Sequence, residues 1–464
     1  MNPSTSTLPA HIFREYDIRG RADSDLSDDV VRALGQAYGT RIRRGGGRRV
    51  AVGRDCRLSG TRLQAAFVAG VRAAGVHVTD IGEVPTPLLY FALHHLPVDG
   101  GVIITGSHNP PQWNGFKLCQ GVKALYGAAI QDLRRIAEAR DFTQGSGGLD
   151  ATDVAGPWLA YCTRTLEPQR PLKVVVDAGN GMGGPLAVAL YRALGFEVFD
   201  LFCTPDGTFP HHHPDPTVEA NLADLKAKVL EVGADVGLAF DGDADRLGAV
   251  DGRGRVVAGD QVLLLLAQDL LNRHPGARVI GEVKCSQVLY DGIAAAGGQP
   301  EMWKVGHSLI KARMAETGAL LAGEMSGHLF LAERWFGYDD AVYAGARLLE
   351  LLSRGASLEA RLDALPVTVT TPEIRVSCPD EAKFAVAARA AAWFQARYPV
   401  VDIDGVRIGF PTGFGLLRPS NTQPVLVLRF EAATAEALAA YRGEVEAWIL
   451  HHAPEVDLSA SVDH

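Results

Sequence analysis

The segment Asp241-Gly242-Asp243-Ala244-Asp245-Arg246 sets three carboxylates on alternate positions directly after the apolar run Val236–Phe240. The small residues between them let the backbone curl, so that three acids can converge on one cation. An all-oxygen donor set suits Mg²⁺, Mn²⁺ or Ca²⁺ rather than zinc or copper. A solvated acidic turn is the competing reading, and a position straight after an apolar strand counts against it. The downstream Glu of an EF-hand is missing. Ser107 lies in Thr105-Gly106-Ser107-His108-Asn109-Pro110, after Val102-Ile103-Ile104. By itself this is ordinary turn chemistry, and it lacks the G-x-S-x-G context of a hydrolase elbow. Glu324, Ser326 and His328 alternate in Gly323-Glu324-Met325-Ser326-Gly327-His328. Such a set suits sugar hydroxyls, and His328 suits proton transfer near neutral pH; a surface loop would read the same. Arg418, Ser420, Asn421 and Thr422 make a donor-rich loop fit for phosphate, or a plain polar turn.

The elements that must position these loops repeat. Apolar runs open at residues 50, 174 and 279, and each leads through a loop into an amphipathic helix. The helices are expected at 61–74, 185–194 and 287–296, stopped by Gly75, Gly195 and Gly297. Second strands follow at 76–78, 196–198 and 301–303. Third runs at 102–104, 236–240 and 319–322 end in the serine, aspartate and Glu-Met-Ser-Gly-His loops. Strand–helix–strand order implies α/β modules with largely parallel pairing, where ligands sit beyond the carboxyl ends of strands. Three rich loops at equivalent positions therefore predict one shared site. The last hundred residues differ. A hairpin with an Asp-Gly turn is expected over 400–410, then a strand at 424–428 and a helix at 435–450, an α+β module. Linkers are expected near 145–152, 251–259 and 366–372.

Length and composition bound the class. The chain has 464 residues, 47% hydrophobic and 21% charged, with net charge −9. That suits about three globular domains and disfavours nucleic-acid or membrane-surface partners. Six scattered cysteines without a C-x-x-C pair give neither a zinc site nor a disulfide framework. No secretory signal or membrane span is visible, and residues 262–271 read as a buried helix. The expected setting is cytoplasmic. Two further motifs compete. Gly179-Asn180-Gly181-Met182-Gly183-Gly184, with Asp200 beyond, matches a dinucleotide fingerprint on paper, but Asp177 and Ala178 intervene and the spacing is short. His211-His212-His213 beside Asp215 could bind metal; among Pro210, Pro214 and Pro216 a rigid exposed loop is favoured.

Together these loops resemble the α-D-phosphohexomutase family, in its bacterial phosphomannomutase/phosphoglucomutase branch. The likeness runs from Arg14-Glu15-Tyr16-Asp17-Ile18-Arg19-Gly20 through the four loops to the C-terminal module. It implies three related mixed α/β modules plus a smaller α+β domain around a central cleft. The modules would span 1–153 with the phosphoserine loop, 154–255 with the metal loop, 256–367 with the sugar loop and 368–464 with the phosphate loop. Ser107 would be the phosphorylated serine, completing a Mg²⁺ site with Asp241, Asp243 and Asp245. Glu324, Ser326 and His328 would read the sugar, and Arg418, Ser420, Asn421 and Thr422 would bind the non-reacting phosphate. Tyr16, Arg19, Lys284 and His307 match substrate-binding positions, and His108, Lys117 and Arg246 catalytic ones. Met325 points to the glucose/mannose branch rather than the glucosamine branch. Pro419 departs from the commoner small residue and should stiffen its loop.

The implied reaction interconverts hexose 1-phosphate and hexose 6-phosphate through a hexose 1,6-bisphosphate, which also serves as activator. The chain would act as a monomer, with a sugar phosphate as its small-molecule partner. The general base stays open among His328, Lys117 and His108; for Lys117 the role needs a lowered pKa, which nearby cations could provide. The alternatives are a phosphoglucosamine mutase, a non-catalytic sugar-phosphate-binding protein, a phosphatase with Asp241 as nucleophile, and a dinucleotide oxidoreductase.

Overall fold

The computed structural model describes residues 8–421 and 423–461. The apolar runs become strands because their Val and Ile side chains are buried on both sheet faces, as central parallel strands require. The three expected helices form over Gly60–Ala73, Gly183–Ala193 and Gln287–Ala295.

In the first sheet, Arg49–Arg54 lies between His77–Glu83 and Gly100–Ile104, parallel to both, and Trp113–Gln120 then returns antiparallel to Gly100–Ile104. The second sheet repeats the plan. Lys173–Asp177 lies between Glu197–Leu201 and Val236–Phe240, and Leu247–Asp251 returns antiparallel. In the third, Arg278–Glu282 lies between Gln299–Trp303 and Leu321–Gly323, and Leu329–Leu331 returns. Each chemistry-bearing loop therefore joins a parallel strand to its antiparallel return partner, at one topological position used three times. The pairing is mixed rather than mainly parallel.

The fourth sheet is antiparallel, running Val400–Val401, Val406–Phe410, Gly413–Pro419, Val425–Ala432, Ile374–Ser377 and Asp457–Ser461. Its hairpin is shorter in the first arm than expected, because residues 402–405 turn the chain, with Gly405 at φ 81°. The terminal helix runs on to His452.

The three expected linkers are joints that carry secondary structure. Each gives a strand to a sheet: Leu149–Ala151 pairs with His77–Glu83, Val256–Val257 with Leu247–Asp251, and Val369–Thr370 with Val425–Ala432. Backbone amides at the open sheet edges are paired in this way, so the joints between modules are sewn into the sheets.

In the first module two helices cross closely. Asp28–Arg44 packs on Gly60–Ala73 through Gly35 and Gly70. A Cβ at Gly70 would stand 2.1 Å from the Arg32 carbonyl oxygen, and one at Gly35 would stand 2.2 Å from that of Phe67. Gly70→Ala is expected to destabilise the chain by about 2 kcal/mol through this overpacking, read as a lower urea midpoint at unchanged slope.

Candidate active site

Ser107 sits on the turn after Gly100–Ile104 with φ 49°, and Ala244 of the acidic loop has φ 59°. These left-handed residues curl both loops so that they meet. Gly242 permits the approach, since a Cβ there would lie 2.4 Å from the Ser107 carbonyl oxygen. The Ser107 hydroxyl donates to Asp241 Oδ2 at 3.0 Å and lies 3.0 Å from His108 Nδ1. Ser107 and all three aspartates are buried.

The acidic loop is organised internally and by the first module. Asp241 Oδ1 accepts the amides of Asp245 and Arg246. Lys117 Nζ donates to Asp243 Oδ2 at 2.6 Å and to Asp245 Oδ2. The Thr86 hydroxyl also donates to Asp243. Burial, then the neighbouring Asp245 and Asp243, push the Asp241 carboxyl well up. Burial works against Asp243 too, but the Lys117 ammonium and the hydrogen bonds from Lys117 and Thr86 hold it below the usual carboxylate range.

A divalent oxygen-seeking cation fits this donor set. One oxygen from each of Asp241, Asp243 and Asp245 can gather within 4.8 Å of the others. Asp243 Oδ1 and Asp245 Oδ1 are buried without a hydrogen-bond partner. Unpartnered buried carboxylate oxygens are costly, and cation coordination would satisfy them.

Lys117 fits the cationic role better than the base role. Despite the cost of burial, Asp243 and Asp245 raise its pKa, so it is held as an ammonium rather than poised as a base. His108 is pushed well down by burial and then by Arg246, Arg19 and Lys117, which keeps its ring neutral on the serine hydroxyl.

His328 is held from both sides. Arg246 Nε donates to His328 Nε2 at 3.0 Å, which puts the ring proton on Nδ1, 3.0 Å from Asp339 Oδ2. Lys311 Nζ holds the other oxygen of Asp339 at 2.7 Å. His307 stacks on His328, with ring centroids 5.6 Å apart. Glu324 Oε1 accepts the Gly306 amide at 2.7 Å, and Ser326 is half-buried on the same loop.

The remaining candidates gather at the module junctions. Arg19 donates to Asn109 Oδ1 at 2.6 Å, beside the serine turn. Arg418 pairs with Asp404 at 3.1 Å, Lys284 with Glu373 at 2.6 Å, and Ser420 is buried. Asn421 Nδ2 donates to the Tyr16 hydroxyl at 2.6 Å, and that hydroxyl donates to the Val305 carbonyl at 3.0 Å. One phenol thus links the first, third and fourth modules. Thr422 lies outside the described residues.

Sequence reasoning missed Asp339 and Lys311 behind His328, Asp404 and Glu373 behind the phosphate-seeking cations, and Thr86 on Asp243. The one local signal was the acidic pair Asp339-Asp340 at the end of a strand in the sugar-loop module.

The competing motifs have other work. The glycine-rich stretch is packed against the acidic loop: the Met182 amide donates to the Gly242 carbonyl, and a Cβ at Gly181 would lie 2.9 Å from Gly242 Cα. A pyrophosphate would have to displace that loop. His212 Nε2 lies 3.0 Å from both Asp177 oxygens and His211 Nδ1 2.7 Å from Asn180 Oδ1, so these rings brace a wall. Asp241 has both oxygens engaged in hydrogen bonds, which blunts it as a nucleophile.

Known proteins share this organisation. Residues 10–144, 158–254 and 258–369 match the family profiles described as phosphoglucomutase/phosphomannomutase, alpha/beta/alpha domains I, II and III. Residues 373–447 match the corresponding C-terminal domain. The phosphomannomutase/phosphoglucomutase of Pseudomonas aeruginosa is 47% identical over 436 residues, covering 93% of this chain and 94% of that protein. The phosphoglucomutase of Neisseria meningitidis is 46% identical, covering 96% and 98%. A crystal structure of a phosphoglucomutase/phosphomannomutase family protein from Burkholderia thailandensis superposes with TM-score 0.92 at 46% identity, covering 97% of this chain and 99% of that one.

Proposed function

The chain belongs to the phosphoglucomutase/phosphomannomutase family and is a hexose-phosphate mutase, and from that premise we propose that Ser107 carries the phosphoryl group exchanged between the 1- and 6-oxygens of glucose or mannose phosphate. The observation that carries this reading is the buried contact of the Ser107 hydroxyl with Asp241, inside a triad whose other two members hold the Lys117 ammonium.

Each residue has a physical task in this scheme. Phosphoryl transfer passes through a loose, anionic transition state, so positioning and charge do most of the work. Asp241, Asp243 and Asp245, with an oxygen on Ser107, would hold Mg²⁺, which supplies Lewis-acid stabilisation to phosphoryl oxygens. Lys117 and Arg246 add fixed positive charge. His328 is the general base. Its Nδ1 lies 3.0 Å from Asp339 Oδ2, and its Nε2 lone pair is covered by Arg246 until an incoming phosphate draws the guanidinium away. As the sugar oxygen forms its bond to phosphorus, the P–Oγ bond to Ser107 breaks and the hydroxyl proton passes to His328. The second transfer returns the other phosphoryl group to Ser107, and His328 gives its proton to the sugar oxygen that is released. Neutral His108 packs against Oγ and limits water there. Tyr16, Arg19, Lys284, His307, Glu324 and Ser326 hold the sugar and its phosphate in either orientation. The division of the chain at residues 153, 255 and 367 belongs to the same reading.

The test is a coupled assay comparing glucose 1-phosphate, mannose 1-phosphate and N-acetylglucosamine 1-phosphate, with catalytic hexose 1,6-bisphosphate supplied. Turnover of the first two, with phosphate found on the Ser107 peptide, supports the reading. Turnover of only the third would make the chain an N-acetylglucosamine-phosphate mutase, and glucosamine 1-phosphate in a fourth arm tests the phosphoglucosamine alternative. For the phosphate clamp, Arg418→Ala is expected to raise the sugar-phosphate KM about 30-fold. That corresponds to about 2 kcal/mol for a charge-assisted contact. An unchanged KM would move the clamp off this arginine.

A further inference from the structure

The turn that presents Ser107 is anchored from beneath by Arg57, a residue that no part of the proposed chemistry uses. Arg57 follows the strand Arg49–Arg54 in Asp55-Cys56-Arg57, and it is 1% exposed. A guanidinium has five N–H donors in a planar fork, and each one of Arg57 has an acceptor. Nη2 donates to the carbonyls of Ser107 at 2.7 Å and Asn109 at 2.5 Å. Nη1 donates to those of Pro110 at 2.7 Å and Trp113 at 2.9 Å. Nε donates to Asp55 Oδ2 at 3.2 Å.

Asp55 completes the anchor, since the same Oδ2 accepts the Gly106 amide at 3.2 Å. The turn lies flat on the guanidinium, and a Cβ at Gly106 would come within 2.5 Å of Arg57 Cζ. From the far side Phe209 of the second module covers the guanidinium at 5.2 Å. A Cβ at Gly207 would stand 2.7 Å from Arg57 Cα. The anchor is thus clamped where the serine-bearing and metal-loop modules meet.

The conformation it secures is an uncommon one. Ser107 at φ 49° occupies the left-handed region, which costs a non-glycine residue free energy and persists only where surrounding structure over-determines it. Four carbonyl contacts across Ser107 to Trp113 supply that determination. They fix the direction in which Oγ leaves the backbone toward Asp241.

We propose that Arg57 is a positioning residue for phosphoryl transfer, holding the Ser107 turn in its reactive conformation through four simultaneous hydrogen bonds to its carbonyls and a fifth to Asp55. The proposal rests on the reading of Ser107 as the phosphoryl carrier. Lysine cannot replace it, because an ammonium has three donors and no planar fork. A displacement of about 1 Å at a reacting group can cost about 100-fold in rate.

The experiment uses the full chain with Mg²⁺ and hexose 1,6-bisphosphate, in native form and as Arg57→Lys and Arg57→Ala. The readouts are single-turnover phosphorylation of the Ser107 peptide by mass spectrometry, steady-state kcat and KM, and the melting temperature. The lysine variant keeps the charge and the stem if the alanine variant folds poorly. Expected for Arg57→Lys are a fall of about 100-fold in kcat and in the Ser107 phosphorylation rate, and a KM within about threefold of native. Partial recovery of Arg57→Ala by millimolar methylguanidinium would support it further. A kcat within threefold of native overturns the proposal. So does a loss shared between kcat and a raised KM, which would mark Arg57 as a fold residue alone. If the native chain takes up no phosphate at Ser107, the carrier reading itself falls, and that result is seen before any variant is compared.

Discussion

Ser107→Ala is expected to lower mutase turnover by roughly 10⁴-fold or more, with the fold intact and the sugar phosphate still bound. The size follows from what the hydroxyl supplies. A tethered nucleophile aligned in a closed site is worth an effective concentration of about 10⁵ M or more, and removing a nucleophile that acts with its neighbours abolishes nearly the whole benefit. The structural cost is small, since only one oxygen leaves, and the donor lost to Asp241 Oδ2 is one that a cation would replace. The measurement is kcat in the coupled assay beside sugar-phosphate affinity by calorimetry. Near-native turnover in the purified variant would end the phosphoserine reading. Ser107→Thr separates hydroxyl from placement. Threonine keeps the oxygen, but its branched Cβ is penalised at φ 49°, so it should recover only a small part of the loss.

Asp243→Asn is the second large effect, expected at about 10³-fold in kcat at fixed Mg²⁺, with a higher Mg²⁺ requirement for half-activity. Asp243 carries two jobs on one carboxylate. Oδ2 takes Lys117 and Thr86, while Oδ1 is buried and free for a cation. The amide leaves the Lys117 ammonium with Asp245 alone and presents a weaker donor to metal. The expected rate loss corresponds to about 4 kcal/mol of transition-state stabilisation, the scale of removing a buried charge from a site where phosphoryl charge develops. A Mg²⁺ titration of activity is the check, and unchanged metal dependence would remove Asp243 from the site. The metal-free protein carries a matching signature. The Asp241 carboxyl is raised by burial and its acidic neighbours, so its ionisation opposes folding. The stability contributed by its protonated form is fully present below the unfolded carboxyl pKa of about 3.9 and is lost as pH rises through the raised folded value. Mg²⁺ should therefore raise the melting temperature at neutral pH.

The sequence carried much of this arrangement because its signals are local. Three acids on alternate positions need only a curled loop, and strand–helix–strand order recurring at 50, 174 and 279 needs only periodicity. What stayed hidden depends on partners far apart in the chain. Lys117 reads as an isolated cation in a strand, and its meaning comes from Asp243 and Asp245, over a hundred residues away. The lowered pKa that a base role for Lys117 needs is not what its neighbours supply, because carboxylates reach it first. Asp339, Asp404 and Glu373 stand on strands, turns and a linker with no motif around them, and tertiary folding alone sets them against His328, Arg418 and Lys284. The linkers misled for a related reason. Gly-rich and Pro-rich composition marks a boundary between modules, yet says nothing of whether an edge amide waits there for a partner.

The Tyr16 phenol has a consequence for timing. It receives Asn421 and reaches Val305 through a single oxygen, so its own share of the fastening amounts to two hydrogen bonds, beside contacts such as Arg407 on the Val283 and Cys285 carbonyls and Lys311 over the Tyr90 ring. Net, the phenol's two hold by about 1 kcal/mol each. On the proposed reading, a bisphosphate made inside would have to turn end over end before it reacts again, against escape. The phenol is thus one weak latch among firmer contacts, and on the proposed reading the ratio of turning to leaking would be set by phosphate contacts at both ends of the sugar.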